Sequence, residues 1–318
     1  MDRPIVGGQA VIEGVMMRGF GKVATAVRAP DGNISVEVQP VSSITDRFPV
    51  LKLPILRGAV SLFESLMLGM KSLSLSAKIS GEEEEELTDR ELILTMILAI
   101  ALACGLFFAL PTFAAKFFRA FTDDPFALNL AEGLVRLIIF LVYLLAISQM
   151  NDVRRVFQYH GAEHKTIFCY EAGEPLTVAN AKKFPRLHPR CGTSFLLIVM
   201  LVSIFVFALT GWPELWIRIL SRIILLPIIA GVSYELIRFS ARSKNFLVKA
   251  ATMPGLWLQY LTTREPAEEM LEVAIKSLEA VAPSEIVANS DERPAVNEIG
   301  GVGTAPQIEI DAPPARAD

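Results

Sequence analysis

The chain has 318 residues, an apolar fraction of 52% and a formal net charge of −4, with a mean hydropathy of +0.45. The length allows two ordinary domains, and the apolar excess belongs to a membrane protein. The small net charge, with no polybasic run, argues against a nucleic-acid partner, and three scattered cysteines exclude a disulfide framework and fit a reducing, cytoplasmic setting.

Met1-Asp2-Arg3-Pro4 leads into glycine-rich sequence and not into the apolar stretch of a signal peptide, so an internal segment is expected to direct insertion. Residues 1–50 read as a small β-containing cytoplasmic domain. Val23, Thr25 and Val27 alternate, residues 29–33 supply a turn, and Ile34, Val36 and Val38 alternate on the return, which predicts a hairpin over Lys22–Gln39. The glycine-rich run 7–19 lacks the spacing of a phosphate-binding loop.

Residues 51–90 read as an amphipathic helix and an acidic linker. Arg57, Glu64, Lys71 and Lys78 recur every seven residues on one helical stripe, and Glu82–Glu86 marks a solvated connection. The helix could lie on the membrane surface, pack on the membrane domain or re-enter it. Residues 91–245 read as a membrane domain of about four transmembrane helices: 92–115, 130–150, 191–213 and 217–239. The second carries Glu132 and Arg136, an i,i+4 pair that can neutralise itself. Cys104, in the first, reads as a lipid-facing or packing residue.

Ten Lys/Arg lie in the first 90 residues and seven in the loop 151–190, whereas the turn 211–216 has none. This asymmetry puts both termini and the loop in the cytoplasm. Residues 246–282 read as amphipathic and soluble C-terminal helices, with Met270, Leu271, Ala274 and Leu278 on one apolar stripe. The proline-rich, acidic tail 283–318 is expected to be disordered.

All three histidines of the chain fall in the loop 151–190. His160 and His164 are one helical turn apart, so both imidazoles can reach one ion, and Glu163 beside them has the chemistry of a general base. The string His-x-x-Glu-His is an inverted zinc-protease motif, and it needs a helix, for which 159–170 is the candidate. Gly161 weakens that helix, and Gly173 is its natural stop. His188 is the leading third ligand, with Cys191 and Glu235 as further candidates. An open site of His160, His164 and His188 would be catalytic. A closed one, with Cys191 as fourth ligand, would staple the loop. A third reading has no metal, the histidines serving packing, hydrogen bonding or proton handling. Glu13 and Arg18 could fold over the site, and Lys165 could hold an anionic substrate. Glu235 could instead pair with Arg238 or a neighbouring helix.

Three strings, residues 7–19, Tyr159–Thr166 and His188–Ser194, resemble the YqhQ-like family of bacterial multi-pass membrane proteins over about residues 3–275. The family is uncharacterised and is sometimes described as a predicted metal-dependent enzyme, which implies a metal at His160, His164 and His188. It supplies no substrate. The sequence therefore leads to a mainly α integral membrane protein of the bacterial inner membrane. Its expected activity is a zinc-dependent hydrolase acting on a peptide or amide, by analogy of motif alone. The alternative is a non-enzymatic assembly factor or scaffold. Expected partners are the lipid bilayer and a homo-oligomer or other membrane proteins.

Overall fold

A computed structural model of the chain describes residues 3–81, 89–242 and 245–283. The acidic run Glu82–Glu86 and the tail from 284 onward lie outside the described residues.

The N-terminal segment is a four-stranded antiparallel meander, β1 (Gly7–Val11), β2 (Gly14–Gly19), β3 (Lys22–Arg28) and β4 (Ile34–Pro40), in the order 1-2-3-4. The hairpin expected over 22–39 is β3–β4, with Arg28 opposite Ile34 and Lys22 opposite Pro40. The glycine-rich run, which carries no strand signal, forms a second hairpin, β1–β2.

Strand alternation divides the sheet into two faces. Val15, Met17, Ala24 and Ala26 join a core with Tyr159, Ala162, Ile167, Leu271, Ala274 and Leu278. Val11, Met16, Val23 and Val27 face the other way, onto Leu68 and Ile79. After a short helix α1 (Ile44–Arg47) and a 3-10 turn, helix α2 (Leu56–Ser80) covers that second face. Small hydroxyl residues let α2 approach closely: Thr25 Oγ1 donates to Ser72 Oγ (3.2 Å), and the Ile12 amide donates to Ser76 Oγ (3.2 Å). The opposite side of α2 exposes Phe63, Leu66, Met67 and Met70.

Helix α3 (Asp89–Cys104), a π turn (Gly105–Ala109) and helix α4 (Leu110–Phe118) follow. Pro111 has no N–H to donate to the carbonyl of Phe107, which instead accepts from Arg136 Nε at 3.0 Å. Helix α5 (Pro125–Ile147) starts on an Asp124 cap, and α6 (Asn151–Ala172) carries the histidine pair. A short α7 (Val178–Lys182), α8 (Gly192–Ala208), α9 (Leu215–Arg242), α10 (Phe246–Thr262) and α11 (Glu268–Val281) complete the chain. Helix α5 packs on α4 and α8, α8 on α9 and α10, and α9 on α2.

Three helices are long and apolar enough to cross a membrane, by length and composition: Ile97–Phe118, Pro125–Ile147 and Trp216–Ser240. They expose large apolar side chains, among them Leu98, Leu102, Ile138, Val142, Ile223 and Ile224. A surface of this kind fits lipid far better than water. The third of the four expected spans is 17 residues long, Gly192–Ala208. At 1.5 Å per residue it falls short of a bilayer core of about 30 Å. It begins one residue later than expected, with Cys191 as its N-cap, and ends five residues earlier, with Leu209 as its C-cap. Cys104 is exposed among the apolar side chains.

The helix expected over 159–170 is present and extends further. It is a 22-residue helix whose C-terminal half is buried between the sheet and α11. Gly173 ends it in the left-handed region, φ 79°, as the sequence suggests. Gly161 has a use that helix propensity does not anticipate. A Cβ there would stand 2.1 Å from the carbonyl oxygen of Arg264. The glycine lets the α10–α11 connection lie directly on α6, where the Arg264 amide donates to Phe157 O at 2.8 Å. Residues 1–50, 151–190 and 268–281 thus share one core.

Candidate metal centre

Three segments far apart in the chain converge on the histidine pair: α6, the residues before α8, and the end of α10. The side-chain donors of His160, His164 and Cys191 all lie within 4.8 Å of one another. His160 is half-buried, and the other two are buried.

Backbone carbonyls set the tautomers. His160 Nδ1 lies 2.8 Å from Thr262 O, and His164 Nδ1 lies 2.5 Å from Arg186 O. A carbonyl can only accept, so each Nδ1 carries the proton and each Nε2 presents a lone pair. His160 Nε2 is 3.2 Å from Cys191 Sγ. Imidazoles pinned through Nδ1–H, with Nε2 free, are the usual arrangement around a metal. Two imidazoles and a thiol suit zinc and its neighbours among the transition metals.

His188 has the opposite tautomer. Its Nδ1 accepts from the Arg190 amide at 3.2 Å, so the proton of the neutral ring sits on Nε2. In that tautomer Nε2–H is a donor, and the donor group that the geometry brings together is His160, His164 and Cys191. Gln259 holds the segment, accepting from the His188 amide (2.7 Å) and donating to its carbonyl (2.8 Å) and to Ser194 Oγ (2.9 Å). The His188 ring packs on Phe168 and lies 5.5 Å, centroid to centroid, from that of His164. Its Nε2 is 3.7 Å from Glu171, whose carboxylate is clamped by Arg190.

Glu163 is buried beneath β1. Gly8 is required there: a Cβ would stand 2.9 Å from Glu163 Cγ and Oε1 and 2.8 Å from Met16 O. Burial pushes the Glu163 carboxyl above its ordinary pKa, against the pull of His160, His188 and the Gly8 amide. Burial also lowers His164, opposed by Cys191 and the Arg186 carbonyl, and brings His188 down to about 4. Both shifts favour the neutral ring, the form in which an imidazole can coordinate. Glu163 Oε2 and His188 Nε2 are both buried with no hydrogen-bond partner. Two orphaned polar atoms beside a converging donor set are what a site built around an additional group leaves behind.

The other sequence candidates lie elsewhere. Glu13 receives two hydrogen bonds from Arg155 and one from Tyr159 OH (3.2 Å). Arg18 pairs with Glu64 at 3.2 Å. Lys165 is buried, pairing with Glu265 at 2.6 Å and donating to Lys182 O at 3.1 Å. Glu235 takes a two-pronged bond from Arg57 (2.6 and 2.5 Å) where α2 crosses α9. Arg57 and Glu235 are 178 positions apart, so no local pattern reveals the pair. Gln259 and Thr262, which hold His188 and His160, carry no sequence signal of their role.

Fold and site together define a helical, membrane-type protein with a small sheet domain that carries a His/His/Cys donor group. The chain belongs to the family described as a protein of unknown function, DUF1385, whose profile matches residues 53–284. It is similar to "Uncharacterized protein YqhQ" of Bacillus subtilis (strain 168), at 38% identity over 311 residues, covering 93% of this chain and 98% of that one. No solved structure gives a significant match.

Proposed function

We propose that the chain is a metal-dependent hydrolase of the bacterial inner membrane, with both termini and the metal centre in the cytoplasm. The convergence of two Nδ1-pinned imidazoles with Cys191 carries this reading. His160, His164 and Cys191 would hold one zinc ion, which would supply Lewis-acid polarisation of a substrate carbonyl. Three protein ligands leave a coordination position open, as catalytic sites do and structural sites do not.

The remaining roles fall to residues of the chain. Glu163 takes a proton from the attacking water at Oε2, the oxygen with no other partner. His188 donates its Nε2–H to the oxygen that gains charge, a role its tautomer suits. Gln259 holds His188 in place. A peptide or amide is the substrate class, on the strength of the inverted motif.

Metal analysis of the full chain in nanodiscs tests this reading. About one zinc per chain is expected, lost in His160→Ala and Cys191→Ser and kept in Glu163→Gln, with peptide hydrolysis lost in all three. A preparation with no stoichiometric metal ends the proposal. A second reading, a non-enzymatic assembly factor or scaffold, is favoured by one feature: the donor set joins α6 to the start of α8, and the Thr262 carbonyl on His160 adds the end of α10. On that reading Glu163→Gln is harmless in cells, whereas His160→Ala lowers protein level.

A further inference from the structure

The end of the bundle opposite the histidines contains a second concentration of charge. Glu132 on α5 is 1% exposed. It accepts from Arg222 (2.5 and 2.9 Å), from Arg136 (2.8 Å) and from Thr112 Oγ1 (3.2 Å). Its two oxygens are fully engaged, and its single charge is already met by two guanidinium groups.

Arg218, one turn before Arg222, is 6% exposed and has no carboxylate left to pair with. Its guanidinium lies over the Trp212 ring at 4.1 Å, and its Nε and Nη1 are buried with no hydrogen-bond partner. Arg119, at the end of α4, approaches the same ring at 5.9 Å. Acidic residues at this end are otherwise occupied or exposed. Asp124 caps α5 through the Ala127 amide, and Asp123 and Glu214 are exposed. None forms a salt bridge with Arg218 among the described residues. Three arginines, Arg136, Arg218 and Arg222, thus lie around one carboxylate, and Arg218 presents two buried N–H groups to nothing. Buried cationic donors in an apolar bundle are costly unless an anion completes them.

We propose that Arg218, with Arg119 and Trp212, binds the phosphate group of an anionic phospholipid. Guanidinium donors match phosphate oxygens. The position identifies the source. Arg218 lies in the first turn of an apolar helix, Trp212 in the turn before it and Arg119 at a helix end, which is the depth of lipid headgroups. Phe121, Leu209 and Trp216, neighbours of these residues in the chain, are 86%, 81% and 78% exposed and offer apolar surface for the rest of the lipid.

Native mass spectrometry of the full chain, released from micelles containing phosphatidylglycerol or phosphatidylcholine, tests the site. About one phosphatidylglycerol per chain is expected to be retained, with phosphatidylcholine held more weakly. Arg218→Gln should weaken retention about tenfold or more, the effect of losing a charge-assisted contact. Arg218→Lys should keep part of it. Arg119 is exposed, so Arg119→Gln, expected to weaken binding several-fold, gives an answer even where Arg218→Gln fails to fold. Millimolar inorganic phosphate is the competitor. Failure to displace the lipid confirms the headgroup as source. Displacement, with direct binding of phosphate to lipid-free protein, keeps the phosphate site but overturns its assignment to lipid. Equal retention by the parent chain, Arg119→Gln and Arg218→Gln overturns the whole proposal.

Discussion

Replacing Gly161 with alanine sets two physical effects against each other. Helix propensity favours the change by about 1 kcal/mol at an interior position. Packing opposes it. The new Cβ would stand 2.1 Å from Arg264 O, well inside the 3.4 Å at which ordinary contact begins. The obstacle is backbone, so the α10–α11 connection must retreat by about 1 Å. That movement strains or breaks the Arg264 N–H···O bond to Phe157, worth about 1 kcal/mol, and overpacking adds about 1–3 kcal/mol. The net expectation is destabilisation by about 1–3 kcal/mol. Thr262, two residues before Arg264, holds His160 Nδ1, so the same movement should loosen the His/His/Cys donor group. Thermal unfolding in nanodiscs should show a midpoint several degrees lower, and zinc titration a weaker site. A midpoint equal to or above that of the parent chain would refute the packing argument and leave propensity in control.

Three further outcomes are expected. Glu163→Gln preserves shape and removes the base, so any hydrolytic activity should fall by about 10²-fold or more at unchanged zinc content; unchanged turnover would remove Glu163 from the mechanism. In metal-free protein, His188 titrates near 4 when folded and near 6.5 when unfolded. The unfolded state therefore binds more protons in that interval, and this group's share of stability falls by up to about 3 kcal/mol as pH drops from 6.5 to 4. Glu163 has the opposite sign, its raised pKa favouring the fold as pH drops, so the informative quantity is the difference in pH slope between the parent chain and His188→Asn. Identical slopes would contradict burial of a neutral His188. Glu132→Gln leaves Arg136 and Arg222 without their counter-charge and should cost about 3–5 kcal/mol, read as a large drop in unfolding midpoint; a midpoint like the parent's would mean that the arginines find another anion.

The strongly periodic segments were readable from sequence. The β3–β4 hairpin follows from alternation, the long apolar helices from uncharged length, and the buried stripe Met270, Leu271, Ala274 and Leu278 from helical spacing. Local pattern also marks His160 and His164 as partners, because four residues make one helical turn. What it misses is set by distant contacts. The run 7–19 is rich in glycine for reasons of close approach, Gly8 to Glu163 among them, so strand propensity is silent there. Cys191 joins the two imidazoles, whereas His188 Nδ1 is occupied by the Arg190 amide. No spacing rule contains that information. Glu132 looked self-sufficient beside Arg136, yet its two-pronged partner is Arg222, 90 positions away.

The order of synthesis gives the site a timing. His160 and His164 emerge early, but the carbonyl that orients His160 belongs to Thr262, and the side chain that fixes His188 belongs to Gln259. Both follow the last apolar helix, so the final geometry of the centre exists only after every hydrophobic segment has been threaded and the chain has come back to meet α6. A half-inserted chain would lack the carbonyl that orients His160. Tight capture of an ion would then mark a chain whose insertion is complete.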